Sequence, residues 1–160
     1  MCAIAGANDN AERAMHISDV LKAKGNRVET VSPSQSVRSI PKLFVDRRIT
    51  SVVVVTADGR PVGMITDRHL LTALAQGNGN FGTQFARDIM TSPAPSCLPG
   101  DELVAVLQRM TRERVRHYVV MEADQMAGLV SIGDLVKHRF QDTELEMRVL
   151  RDLALAHMTA

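Results

Sequence analysis

A chain of 160 residues with 45% hydrophobic side chains has the material for one compact domain or two small repeated units. Nineteen basic against eighteen acidic residues leave a net charge of +1, and aromatic side chains are limited to four Phe and one Tyr. That balance gives no field favouring nucleic acid or an anionic membrane, and no platform for stacking bases. Cys2 and Cys97 form no C-x-x-C pair, and no stretch reaches the ~18 apolar residues of a membrane helix. Met1 to Arg13 lacks the basic start and apolar run of a secretory leader, so a cytoplasmic protein is expected.

Taken in order, residues 1–14 read as a tail rich in Ala, Asn and Gly. A short helix starts at Ile17 and should end at Gly25, followed by a strand over Val28 to Val31. Ser36 is placed to cap a helix carrying Val37, Ile40, Leu43 and Phe44 on one side, but Pro41 conflicts with a regular helix. In mid-helix a proline removes a backbone hydrogen bond and costs about 3 kcal/mol, so the regular helix is expected to begin close to Pro41. Strands Ser51 to Thr56 and Val62 to Ile65 follow, turned by Asp58-Gly59, and then a helix over Asp67 to Ala75.

Gly77, Gly79 and Gly82, with Asn78 and Asn80, mark a linker. Beyond it the same elements return. They are a short helix over Ala86 to Met90, a strand over Pro95 to Leu98, and a helix capped by Asp101 with Leu103, Leu107 and Met110 inward. Strands His117 to Met121 and Met126 to Val130 then lead to a last helix opening at Ser131. Cys97, in a strand-like stretch, reads as a small buried hydrophobe. In the last helix Phe140, Thr143, Met147, Leu150 and Ala154 recur at alternating four and three spacing, like a coiled-coil seam. The helix either lies on the preceding unit alone or also packs on a second subunit.

The stretch Gly128-Leu129-Val130-Ser131-Ile132-Gly133-Asp134 carries the chemistry. A hydroxyl at a helix start with a carboxylate three residues on has two readings. One is a capping box, in which both side chains satisfy free N–H groups and complement the helix dipole. The other is a nucleotide site, with the hydroxyl and N–H groups on a phosphate and the carboxylate on ribose hydroxyls. Gly63-Met64-Ile65-Thr66-Asp67-Arg68-His69 repeats the order of glycine, two apolar residues, hydroxyl and helix start. Arg48-Ile49-Thr50-Ser51 before one copy matches Arg114-Val115-Arg116-His117 before the other, so the chain is two copies of one unit. No Ser/His/Asp or Cys/His set assembles, and His16, His69, His117, His138 and His157 show no metal-ligand spacing. No metal and no catalytic residue is assigned. The run Arg109, Arg112, Arg114 and Arg116, interrupted by Glu113, reads as a solvated helix end.

Two strand–helix–strand–strand–helix units, with Thr66-Asp67-Arg68 in the first and Arg116-His117 and Gly128 to Lys137 in the second, resemble a pair of cystathionine β-synthase (CBS) domains. The likeness covers about Met15 to Phe140. It is similar to stand-alone bacterial CBS-pair proteins, which carry a short charged helix after the second unit. The resemblance implies an α/β (α+β) fold, a tandem pair of pseudo-symmetric βαββα units called a Bateman module. Residues 15–76 would form the first CBS unit, 77–83 the linker, 84–140 the second unit and 141–160 a C-terminal helix.

The resemblance further implies a regulatory sensor without chemistry of its own, which forms a homodimer and binds AMP, ATP, NAD(H) or S-adenosylmethionine in clefts between the units. Carried onto this sequence, Asp134 would hold ribose hydroxyls and Ser131 a phosphate oxygen. Arg116 and His117 would stand at the rim of that cleft, and Thr91 to Pro93 would form part of its purine wall. In the first copy Thr66 matches Ser131, but His69 replaces the aspartate, and an imidazole cannot accept two ribose hydroxyls as a carboxylate does. Arg68 would reach a phosphate there, and if it faced the Ser131 helix end across one cleft a dinucleotide would fit. Val119 stands where the family often has proline, which is expected to alter the strand only slightly. The competing reading is an interaction module with vestigial clefts, docking an unknown regulated protein through the C-terminal helix.

Overall fold

The structure is a computed structural model that describes residues 14–77 and 79–158. Cys2 and nearly all of the expected N-terminal tail lie outside the described residues, as do the side chains of Ala154 and His157. Helix α1 spans Ile17–Lys24 and stops at Gly25, whose φ of 88° is a conformation that glycine adopts without a Cβ penalty. Strand β1 is confined to Thr30–Val31, shorter than expected, and before it the Glu29 carbonyl still accepts the Val53 N–H at 3.2 Å. A 3-10 turn over Val37–Ser39 leads into α2, Ile40–Arg47. Pro41 therefore sits in the first turn, where its missing N–H would have had no intrahelical partner, as the sequence required.

Strands β2 (Ser51–Val55) and β3 (Pro61–Thr66) lead to α3, Asp67–Gln76. After the linker come α4 (Ala86–Ile89), β4 (Ser96–Cys97), α5 (Leu103–Glu113), β5 (His117–Glu122), β6 (Gln125–Ser131) and α6 (Ile132–Met158). Asp101 does not cap α5. Glu102 occupies that position, and the Asp101 carboxylate accepts the Leu98 N–H at 3.0 Å and pairs with Arg109 instead. Of the expected inward residues Leu103 and Met110 are buried, and Val106 completes the face.

Each half forms a three-stranded sheet, β1-β2-β3 and β4-β5-β6, with one parallel and one antiparallel pairing. The repeat extends to irregularities. Both hairpins shift register at the same place, between Val54 and Val55 and between Val120 and Met121. Arg48 and Arg114, which end α2 and α5, are both held at positive φ (54° and 56°).

The two sheets explain the unbroken Val52 to Val55 run. Val52 and Val54 face one helix-covered core with Ile40, Phe44 and Ile65, while Val53 joins Met64 and Val119 in a cluster shared by both sheets. Tyr118 and Val120 face the other core with Ile17, Val20, Leu103 and Met110. Strands buried on both faces read as continuous apolar runs.

The helices that open the units are exchanged. α1 buries Ile17 and Val20 in the core of the second sheet, and α4 buries Ala86 in the core of the first. Gly63 and Gly128 permit this crossing. A Cβ on Gly128 would lie 2.7 Å from Leu21 Cδ2 of α1, and one on Gly63 would run into Met90 and lie 2.9 Å from the Thr91 carbonyl oxygen. Helix α6 buries Leu135, but from Thr143 to Arg151 every described side chain is exposed. Among the described residues no helix is long and apolar enough to cross a membrane.

Candidate functional site

Two clefts open where the sheets meet, one beside each copy of the glycine–hydroxyl motif. The first, about 570 Å³, is lined by Thr66, Arg68, His69 and Thr91 from one side and by Thr111, Arg114, Arg116 and His117 from the other. The second, about 640 Å³, is lined by Ser131, Asp134 and Lys24, together with Arg27, Arg48 and Thr50. Both volumes fall in the range of small-molecule sites.

At the second cleft β6 runs straight into α6, leaving Ser131 as the residue before the first helical turn rather than within it. The capping reading holds in full. Asp134 Oδ2 accepts the Ser131 N–H at 2.9 Å and the Ser131 hydroxyl at 2.8 Å, and Ser131 Oγ accepts the Asp134 N–H at 3.1 Å. The same carboxylate oxygen also receives Lys24 Nζ at 2.5 Å. Burial by itself would raise the Asp134 pKa, but the hydrogen bonds from Lys24 and from Ser131 outweigh it and hold the carboxyl below its ordinary value.

The first cleft repeats this box with an imidazole. His69 Nδ1 accepts the Thr66 N–H at 3.0 Å and lies 2.9 Å from Thr66 Oγ1, and Nε2 lies 2.7 Å from Thr91 Oγ1. Since a backbone N–H can only donate, Nδ1 is the bare nitrogen and Nε2 carries the hydrogen, which it donates to Thr91. The substitution of His for Asp is thus structural as well as a departure, because the imidazole takes over the cap. Burial, then the Arg68 charge, lowers the His69 pKa and keeps the ring neutral.

Several expected placements change. Thr91 lines the first cleft with His69, not the second with Asp134, because residue 91 pairs with Met64 through reciprocal backbone hydrogen bonds of 3.0 and 2.9 Å. Pro93 follows a cis peptide after Ser92, and the proline that lines the first cleft is Pro95. Arg116 also belongs to the first cleft, where it pairs with Asp67 at 2.9 Å. His117 lies between the two clefts and lines both, with Nε2 3.5 Å from Thr50 Oγ1. Its Nδ1 is buried with no hydrogen-bond partner among the described residues. Burial, then Arg116 and Lys24, lowers its pKa. Arg68 and Ser131 open into different clefts, so they do not grip one ligand from both ends.

The basic run of α5 also disperses. Arg109 binds Asp101 and the Ser96 carbonyl and lies over the Tyr118 ring, while Arg114 and Arg116 turn into the first cleft. Val119 uses its N–H, donating to Pro95 O at 2.8 Å, so a proline there would lose a bond. Cys97 is buried as expected, and burial pushes its thiol up to about 12.

Lys24, Arg27 and Arg48 escaped the sequence reading. They lie more than 80 residues before Ser131, and only the α1 exchange brings Lys24 to Asp134. Arg48 had a signal, since it occupies the same place in its repeat as Arg114. Among the described residues no group of His, Cys, Asp or Glu is arranged to hold a metal ion.

Comparison with known proteins agrees with this architecture. The CBS domain model matches twice, over residues 16–76 and 86–140. The "CBS domain-containing protein CBSX3, mitochondrial" of Arabidopsis thaliana is 31% identical over 130 residues, covering 76% of this chain and 63% of that protein. The chain spans between 33% and 63% of the length of two curated relatives it matches. A crystal structure of a CBS-domain protein from Agrobacterium tumefaciens is 34% identical with a TM-score of 0.75, covering 78% of this chain and 99% of that one. A CBS domain protein from Pyrobaculum aerophilum, solved complexed with AMP, is 26% identical with a TM-score of 0.65, covering 75% and 89%. The chain belongs to the CBS domain family, as a tandem pair of CBS domains.

Proposed function

We propose that the protein is a regulatory module that binds adenine nucleotides in its two clefts and performs no chemistry on them. The observation that carries this reading is the pair of clefts itself. Each combines a hydroxyl-capped helix start (Thr66 or Ser131) with arginines from the opposite unit, so each offers hydrogen-bond donors and positive charge to a phosphate. The AMP-bound Pyrobaculum aerophilum relative supports the ligand class.

In the second cleft Asp134 would turn its carboxylate to ribose hydroxyls as Lys24 moves to the phosphate, with Ser131 donating beside it. Arg116, His117, Thr91, Thr66 and Arg68 would serve the first cleft. AMP is the leading ligand, with ATP, NAD(H) and S-adenosylmethionine as competitors. Because each cleft has walls from both units, a ligand that binds one inter-unit angle more tightly shifts the population toward it. The readout would pass to a second subunit through α6, whose Phe140, Met147 and Leu150 are exposed at coiled-coil spacing.

Calorimetric titration of nucleotide-stripped protein with AMP, ATP, NADH and S-adenosylmethionine tests the reading, alongside Asp134→Ala. Binding by the wild type that weakens in the variant supports it. Absence of binding by any of the four at millimolar concentration would leave Ser131 and Asp134 as helix caps and favour the interaction module.

A further inference from the structure

The two clefts differ in one chemical respect. The second presents the Asp134 carboxylate, an anionic acceptor that can take the hydrogens of a ribose diol. Among the described residues the first cleft is lined by no carboxylate. Asp67 stands outside that lining, with Oδ1 accepting from the Arg116 guanidinium at 2.9 Å and from the Arg68 N–H at 2.8 Å.

The place of Asp134 is taken by His69, whose Nδ1 is committed to the Thr66 N–H. Its Nε2–H donates to Thr91 Oγ1, and that hydroxyl, having accepted, keeps its own hydrogen to give away. The outward face of this chain is therefore a donor. Around it stand the cations Arg68, Arg114 and Arg116. A free ribose diol finds no anionic acceptor here, whereas a phosphate esterified to the ribose finds hydroxyl and guanidinium donors. The same logic separates an acidic residue, which takes a ribose hydroxyl, from an arginine, which accommodates a phosphate on it.

From this we infer that the first cleft takes an adenine nucleotide carrying a phosphate on the ribose 2′ or 3′ oxygen, while the second takes a nucleotide with a free diol. The cavity of about 570 Å³ is of the size that holds such a ligand. This inference rests on the adenine-nucleotide reading of the clefts and assigns a different ligand to each.

The test is calorimetric titration of the full chain with AMP, adenosine 2′,5′-bisphosphate and adenosine 3′,5′-bisphosphate, in the wild type, Asp134→Ala and His69→Asp, each first checked by thermal melting. Asp134→Ala silences the second cleft and leaves the first as the reporter. In it one of the bisphosphates should bind about ten-fold or more tighter than AMP, the scale of a charge-assisted hydrogen bond, and the tighter isomer identifies the esterified oxygen.

In His69→Asp the order should reverse, with bisphosphate affinity falling and AMP affinity rising. The rise for AMP is the decisive reading, since added negative charge alone would weaken both ligands. Arg68→Gln, which leaves the cap intact, should lose the bisphosphate preference. Equal or tighter binding of AMP in Asp134→Ala, or an unchanged ratio in His69→Asp, overturns the assignment. If AMP still binds the wild type through Asp134 in that event, the ligand class of the first cleft falls alone. If no adenine compound binds any folded variant, the nucleotide reading falls with it.

Discussion

Lys24 and Asp134, 110 residues apart in sequence, meet at 2.5 Å on one wall of the second cleft, with Lys24 Nζ also bound to the Leu129 carbonyl at 3.0 Å. The carboxylate that would accept a ribose thus has a cationic partner on α1, the helix exchanged onto the second sheet. Both side chains keep about a third of their surface in water, at 35% and 27%, so the pair contributes less than a buried one would. In Lys24→Met, the Asp134 carboxyl should titrate closer to its ordinary 3.8, measurable by carbon-13 NMR of the side chain. Stability should fall by no more than about 1 kcal/mol.

Gly63 and Gly128 hold equivalent places but should not respond equally to substitution. Gly128→Ala meets the far end of the flexible Leu21 side chain, whereas Gly63→Ala also meets the Thr91 backbone oxygen at 2.9 Å. Both should lose stability, with Gly63→Ala the costlier, at about 1–3 kcal/mol. Urea denaturation of the two variants checks the order.

His69 and His117 both have pKa values lowered below the ordinary 6.5 by burial and by neighbouring cations. The unfolded chain therefore takes up these protons at higher pH than the folded one. Their contribution to stability is complete above about 6.5 and is lost as pH falls toward the folded-state values. His69→Gln keeps an acceptor and a donor without a titrating ring, so it should flatten part of the slope between pH 7 and 5. The part due to His117 should remain.

Val119→Pro removes the N–H bound to Pro95 O and so loosens β4, which holds to β5 through only two residue pairs. A loss of about 1–3 kcal/mol is expected, and hydrogen exchange should show Cys97 losing protection. A result near zero would mean that the strand tolerates the proline of the wider family.

Truncation after Asp142 removes a helical segment whose described side chains are all exposed. The urea midpoint of the remaining body should not change, because none of the segment's described side chains is buried. In sedimentation the full chain should form a dimer that the truncated chain does not, since a lone helical tail of this length is marginal in water.

Much of the architecture was legible because the hydrophobic pattern and the punctuation agreed. Gly25, Pro41, Asp58-Gly59 and the unbroken Val52 to Val55 run each imply one local structure, and the structure has it. Ser131 with Asp134 announced a capping box through spacing alone, whereas the box that His69 makes with Thr66 was not legible, because imidazole is not an expected capping side chain. Strand lengths were less legible. Val28 and Glu29 have strand-like sequence, but only Thr30 and Val31 pair in register with β2, and pairing belongs to two segments rather than one.

The sequence by itself determined the repeat, the elements, the capped helix starts and hence the family, because each depends on residues within a few turns of one another. Only the tertiary structure decided which residues share a cleft. The exchange of α1 and α4 between sheets brings Lys24 to Asp134 and Thr91 to His69, while Arg116, ahead of β5, faces the cleft of the other motif. Which wall faces which motif follows from how two pseudo-equivalent sheets stack through Val53, Met64 and Val119. That stacking is a long-range apolar contact, and no local spacing along the chain records it.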